Sequence, residues 1–141
     1  MDYQQLAEEV LRSLPVLRSR VRRLDEGFRR EIFTLGYVVK HGGGVSPGEI
    51  SSAFAVSSAR VAVTLNGLEE KGLITRRIDP ADRRHVIVDP TPAGTEQAAR
   101  TYRAMVEKTQ EILRRLGDED AQALVRLVHK LSALASEGEG S

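Results

Sequence analysis

Four arginines and two aspartates crowd into one short stretch, Arg76-Arg-Ile-Asp-Pro-Ala-Asp-Arg-Arg84. No nucleophile–base pair can be assembled there. The stretch offers guanidinium groups able to grip phosphate or enter a narrow groove, and carboxylates able to aim them. A second set lies upstream: Ser57, Ser58, Arg60, Val63 and Asn66. Serine can cap a helix or touch phosphate, arginine can pair with guanine through two hydrogen bonds, and asparagine can pair with adenine. Together the two sets point to nucleic-acid binding.

Both need scaffolding, and the chain from Ser46 to Gly94 supplies it. Ser46 is a good N-cap, Pro47 falls at the first helical position, and Glu49 stands where a capping box needs it. Ile50, Ala53 and Phe54 give that short helix an apolar stripe. Ser57 caps a second helix, so the turn between them is only Ala55 and Val56 wide. In the second helix Val61, Leu65 and Leu68 recur at i, i+4 and i+7, which predicts one buried face. Gly72 ends it, with Leu73 folding back as its apolar partner. The opposite face centres on Ala59, Val63 and Asn66, flanked by Arg60, Ala62 and Gly67. It has little to offer a core and is the face expected to meet DNA. The arginine-rich hairpin and Val86-Ile-Val88 follow. Helix, turn, helix and basic hairpin in that order read as a winged helix-turn-helix, which lays one helix in the major groove. The hairpin is its wing.

At these residues the chain resembles a known family. Gly67-Leu-Glu-Glu-Lys-Gly-Leu-Ile74, Arg76, Asp79-Pro-Ala-Asp-Arg-Arg84 and Thr91-Pro-Ala-Gly94 are similar to the MarR-type bacterial regulators. The resemblance implies a homodimeric, ligand-responsive transcriptional regulator, usually a repressor. It also implies that Asp82 orients Arg84, which enters the minor groove, where narrow A/T-rich sequence attracts arginine. Arg83 is then a phosphate contact. The bland alternative is that Asp82 and Arg84 merely staple the hairpin. Arg76 and Arg77 alternate across a strand, so only one should face DNA, and His85 reads as an ordinary strand residue. Two positions depart from the family: Val63, where a polar or basic residue is frequent, and Pro90, where an apolar residue usually precedes the threonine. Val63 could touch thymine methyls. Asn66 has two open readings, a partner for adenine or a group facing water.

Composition bounds the rest. With 141 residues the chain fits one domain, or a DNA-binding lobe with a small dimerisation lobe; 40% apolar and 29% charged residues suit a water-soluble protein. There is no cysteine, so neither a disulfide framework nor the thiol switch used by some MarR-type regulators is available. No long apolar run suggests a membrane span, and Met1-Asp-Tyr-Gln lacks the form of a signal peptide, so the expected location is the cytoplasm. The net charge of +1 is no nucleic-acid signature; its concentration in the wing is what matters. His41, His85 and His129 form no ligand cluster, so no metal and no cofactor is expected.

Helical seams flank the lobe. Leu6, Val10, Leu14, Leu17, Val21, Leu24 and Phe28 alternate spacings of four and three. Pro15 should kink this helix or restart it with Ser13 as cap. Arg12, Arg18, Arg20, Arg22 and Arg23 line its outer side, as a solvated face or a source of attraction to flanking phosphates. After a break at Asp25 and Gly27, Phe28, Ile32, Leu35 and Val39 define a helix that ends at the Gly42-Gly-Gly44 turn. Thr91 caps a long helix carrying Ala98, Tyr102, Met105, Thr109, Ile112 and Leu116. Gly117 ends it, and Asp118 caps a last helix with a Leu124, Leu127, Leu131 and Leu134 seam. Ser136 to Ser141 should be a frayed tail.

The fold expected is therefore mainly α with a small β-hairpin. Residues 1–41 are expected to be N-terminal dimerisation or scaffold helices, 42–91 the winged helix-turn-helix lobe, 92–135 the C-terminal dimerisation helices and 136–141 a flexible tail. Seams at both ends exceed what one lobe needs and predict a two-fold dimer on a pseudo-palindromic site, with half-sites about 34–36 Å apart. The leading function is a DNA-binding repressor released by a small, aromatic or phenolic ligand. The resemblance places that ligand between the dimerisation helices and the lobe, where Tyr37, His41, Tyr102 and Met105 are polar or soft groups on helices. The alternative is a winged-helix protein-interaction module. No catalytic constellation can be built, so an enzyme is not expected.

Overall fold

The computed structural model describes residues 1–21 and 26–138, with side chains described for 1–13 and 27–138. Six helices and one hairpin follow in the order α1 (Tyr3–Val21), α2 (Glu26–Lys40), α3 (Pro47–Phe54), α4 (Ser58–Glu70), β1 (Ile74–Ile78), β2 (Val86–Pro90), α5 (Pro92–Leu116) and α6 (Asp118–Gly138). This is the expected mainly α fold with a two-stranded antiparallel wing. The chain divides into two compact units, Met1–Ala98 and Ala99–Ser141.

The core of the first unit is small and built almost wholly of aliphatic side chains. Leu35 and Val38 of α2, Val45, Ile50 of α3, Val61, Leu65 and Leu68 of α4, Ile74 of β1 and Val88 of β2 are all buried. Burying such side chains is worth roughly 1.5–3 kcal/mol each, which sets the mutual angles of α2, α3 and α4 against the hairpin. The strands pair from Ile74↔Pro90 to Ile78↔Val86. Val45 adds a one-residue bridge to Val88, tying the entry of α3 to the sheet. Pro90, the departure from the family pattern, closes the ladder at its last pair, where the N–H that proline lacks costs least.

Local signals position α3 and α4 as expected. Ser46 Oγ accepts from Glu49 N–H, Pro47 occupies the first turn, and Ala55 takes the left-handed conformation between the helices. Ser57 Oγ accepts from Arg60 N–H. At the other end of α4, Gly72 N–H donates to Glu69 C=O (2.9 Å) and Leu73 N–H to Leu68 C=O (3.0 Å). That pair of bonds is a Schellman closure, and Gly72 at φ 72° carries its left-handed residue. The Thr91 hydroxyl accepts from Gly94 N–H at the start of α5 and donates to Gly72 C=O at 2.7 Å. The start of α5 is thereby fastened to the end of α4. The approach is so close that a Cβ on Gly94 would overlap the Leu73 carbonyl oxygen.

Several expectations need correction. α1 does not restart at Pro15: it is one helix, and Ser13 Oγ donates back to Glu9 C=O instead of capping. One missing N–H is tolerated inside a long helix whose other bonds hold. Gly27 lies within α2 and makes no break; Asp25, Leu24, Arg22 and Arg23 lie outside the described residues, as do the side chains of Leu14, Leu17, Arg18, Arg20 and Val21. In α2 the fully buried valine is Val38 at 0% exposure, while Val39 is only half-buried. Contact with α4 and β2 sets the rotation of α2, and the seam alone left that open. Asp118 is the first residue of α6, not its cap, and Ala121 N–H donates to Gly117 C=O. Asp118, Glu119 and Asp120 then fill the first turn, where the helix dipole favours acids. Residues 136–138 are helical, with Ser136 Oγ bonded to Ser132 C=O; residues 139–141 lie outside the described residues.

Candidate nucleic-acid interface

α4 turns Val61, Thr64, Leu65 and Leu68 inward. Thr64 satisfies its buried hydroxyl on Arg60 C=O at 2.9 Å. Ala59, Ala62, Val63 and Asn66 are exposed on the other side, Val63 at 71%. Gly67 does not flank that outer face as expected. It is half-buried against Glu31 of α2, whose carboxylate pairs with Lys71. Lys71 also stands 5.9 Å over the Phe28 ring. This contact joins the start of α2 to the end of α4.

Ser57, Ser58 and Arg60 are exposed at the N-terminal turn of α4. Ser57 spends its hydroxyl oxygen as the cap. The Arg60 guanidinium makes no ion pair with any described residue. It lines a cleft of ≈ 160 Å³ with Phe33, Phe54 and Val56. Asn66 stays exposed at the surface of α4 and is also engaged from the wing. Its Oδ1 accepts from Arg76 Nη2 at 2.8 Å. Arg76 also donates to both Glu69 oxygens, each at 3.1 Å. That hydrogen bonding holds the Glu69 carboxyl below its ordinary range and raises the Arg76 guanidinium further. Arg76 is thus a strut from wing strand to α4, while Arg77, its neighbour on the other strand face, binds Asp89 Oδ2 at 2.7 Å. Asp89 Oδ1 accepts from Gly44 N–H at 2.9 Å. The Arg77 bond first, and the Gly44 bond second, hold Asp89 below the usual carboxylate range.

The wing tip is built by its own acids. Asp79 N–H donates to His85 C=O and His85 N–H to Asp82 C=O, closing the loop. Asp79 Oδ1 accepts from Ala81 N–H at 2.9 Å. Asp82 then grips Arg84 in fork geometry, Nε to Oδ1 and Nη2 to Oδ2, both 3.1 Å. The Arg84 side chain is nevertheless 87% exposed, so Asp82 fixes its direction without covering it. This hydrogen bond is the first cause of the lowered Asp82 pKa. His85 Nε2 stands 3.4 Å from Asp82 as well. It joins the wing-tip cluster, beyond the plain strand role expected of it. Arg83 is exposed and, among the described residues, has no ion pair.

Of the four groups considered for a ligand, Tyr37 and His41 stack at 4.1 Å in the first unit, with Phe54 edge-on to Tyr37 at 5.7 Å. Tyr102 and Met105 lie exposed on the distal part of α5.

The MarR family sequence model matches residues 29–85, the stretch containing α3, α4 and most of the wing. A protein of Thauera aromatica, named as a candidate transcriptional regulatory protein for the hcr operon, is 31% identical over 112 residues. That match covers 79% of this chain and 68% of the relative. The chain belongs to the MarR family. It is a transcriptional regulator by that membership and not an enzyme. Among solved structures, FabT of Streptococcus pneumoniae in complex with DNA superposes with a TM-score of 0.69 at 23% identity, covering 96% of this chain and 99% of that one. MepR, a transcription regulator of the Staphylococcus aureus multidrug efflux pump MepA, gives 0.65 at 22% identity, covering 94% and 95%. At these identities both describe the fold. Among the described residues no helix is long and apolar enough to cross a membrane, and no group of acidic or histidine side chains could hold a metal ion.

Proposed function

We propose that this MarR-family chain binds a pseudo-palindromic operator as a homodimer, represses transcription there, and is released by a small ligand. The observation that carries the reading is the wing tip: Asp82 holds Arg84 by two hydrogen bonds and leaves it 87% exposed. An arginine aimed in advance loses little conformational freedom on entering a narrow groove, whose enhanced negative potential attracts it. Arg83 adds phosphate attraction, and α4 lies in the major groove with Ser57, Ser58, Arg60, Val63 and Asn66 near its surface. FabT, which shares the fold, was solved on DNA.

Dimerisation follows from the exposed leucines of α6 and the exposed seam of α5, which are apolar and need a cover. A ligand favouring a dimer with the wrong spacing of recognition helices would weaken operator affinity by its differential affinity for the two states. An aromatic or phenolic compound is the class of ligand expected.

The test is binding to the DNA beside the chain's own gene. Arg84→Ala should weaken binding about tenfold or more, and wild-type affinity should fall steeply as salt rises. Undiminished binding by Arg84→Ala would remove the wing from the interface.

A further inference from the structure

The face of α4 turned away from the core is poor in hydrogen-bonding groups, which limits what it can read in a major groove. Ser57 is committed as the helix cap. Pairing with adenine needs the oxygen and the nitrogen of one amide together, and the Asn66 oxygen, which already accepts from Arg76, is tied in orientation by that bond and keeps one lone pair to offer. One turn beyond Asn66 the outer line ends in the exposed carboxylate of Glu70, which repels a nucleic-acid backbone. Besides Ser58, Arg60 and Asn66 this face carries Ala59, Ala62 and Val63, all exposed, and of these three only Val63 projects far. Val63 is 71% exposed on a helix that already buries Val61, Leu65 and Leu68.

In the major groove the four bases present donors and acceptors, and thymine alone adds an apolar group, its 5-methyl. We infer that Val63, with Ala59 and Ala62 beside it, reads thymine 5-methyl groups, so that the middle of each half-site is recognised by methyl contact and not by hydrogen bonding. This inference rests on the proposed DNA binding. Hydrogen-bonded recognition is then left to Ser58 and Arg60 in the first turn and to what the tied Asn66 amide can still offer. A site read this way distinguishes bases by the presence of a methyl. Cytosine methylated at C5 carries that group in the same place, and no side chain in the strip can reject it by its amino group.

The experiment uses the full chain and an operator selected from random duplexes. Each thymine is replaced in turn by deoxyuridine, which keeps base pairing and removes only the methyl. Wild-type protein should lose about fourfold at one or two positions per half-site, the Boltzmann equivalent of one buried methyl-sized group, and nothing elsewhere. Val63→Ala should bind thymine and uracil duplexes equally at those positions. Val63→Thr, which keeps a methyl at nearly the same volume, should retain most of the discrimination. Tolerance of uracil at every position by wild type, or an unchanged uracil penalty in Val63→Ala, overturns the assignment of Val63. Failure to select any duplex is a different result, and it overturns the DNA-binding reading itself.

Discussion

The lobe built from α2, α3, α4 and the hairpin and the second unit handle apolar side chains in opposite ways. Between Leu35 and Val88 nine of them are buried, drawn from three helices, both strands and the turn before α3. Among the described residues of the second unit none is buried, and Tyr102, Met105, Ile112, Leu116, Leu127, Leu131 and Leu134 all stand exposed. Both stretches are equally regular in pattern. A seam records that a helix has a partner; where the partner is depends on chain topology. The lobe closes on itself, whereas the long helices leave an apolar face exposed, the face that the proposed dimer would cover.

The largest effect should come from the lobe's centre. Leu65 is 1% exposed, and Leu65→Ala removes its contacts and leaves a cavity, costing about 2–5 kcal/mol of unfolding free energy. Chemical denaturation at neutral pH checks this. A cost under about 0.5 kcal/mol would mean that the lobe repacks freely and differs less from the second unit than its burial implies.

Next is Gly94→Ala. The new Cβ would meet the Leu73 carbonyl oxygen, which is backbone and cannot swing aside. The start of α5 must then lift, straining the Thr91 bond to Gly72 C=O. A loss of about 1–3 kcal/mol is expected, as for overpacking elsewhere. Amide exchange should be fastest to rise at Leu73 and Thr91, whose N–H groups are bonded in this corner.

The second unit is tested by charge. Leu131 is exposed on α6, so Leu131→Asp should barely alter the lobe. If this face meets its own copy, the buried carboxylate should raise the dimer dissociation constant at least tenfold, about 1.4 kcal/mol. Sedimentation over a concentration series reads this directly. An unchanged association curve would place the dimer contact elsewhere.

These contrasts also mark what was legible in the sequence. Ser46, Pro47, Ser57 and Gly72 act within a few residues of themselves, and their caps and closures are where local chemistry put them. The choice of Val38 over Val39 was not legible, because spacings of three and four leave a helix free to rotate by part of a turn. Nor was the Asn66–Arg76–Glu69 strut, since it joins a helix to a strand and depends on the angle between them. A signal was present: Glu69 and Arg76 flank a tight helix-to-strand reversal, the arrangement in which opposite charges meet. Gly94 could have been read the same way, as a glycine inside a helix that must be allowing something close.

The smallest effect sharpens the view of the lobe as self-contained. Asp89 joins the wing strand to the glycine turn, through Arg77 at 2.7 Å and Gly44 N–H at 2.9 Å. Both side chains of the ion pair are partly exposed, so Asp89→Asn should cost no more than about 1 kcal/mol at pH 7. Its pH dependence identifies the source. The folded carboxyl has a lowered pKa, so its stabilisation is present above the unfolded value of about 3.9 and is lost as pH falls through the folded one. Wild type should therefore lead Asp89→Asn at pH 7, and the gap should shrink towards zero as the pH drops below that range. A gap that stayed constant down to about pH 3 would mean that Asp89 acts through shape and neutral hydrogen bonding, with no contribution from its charge.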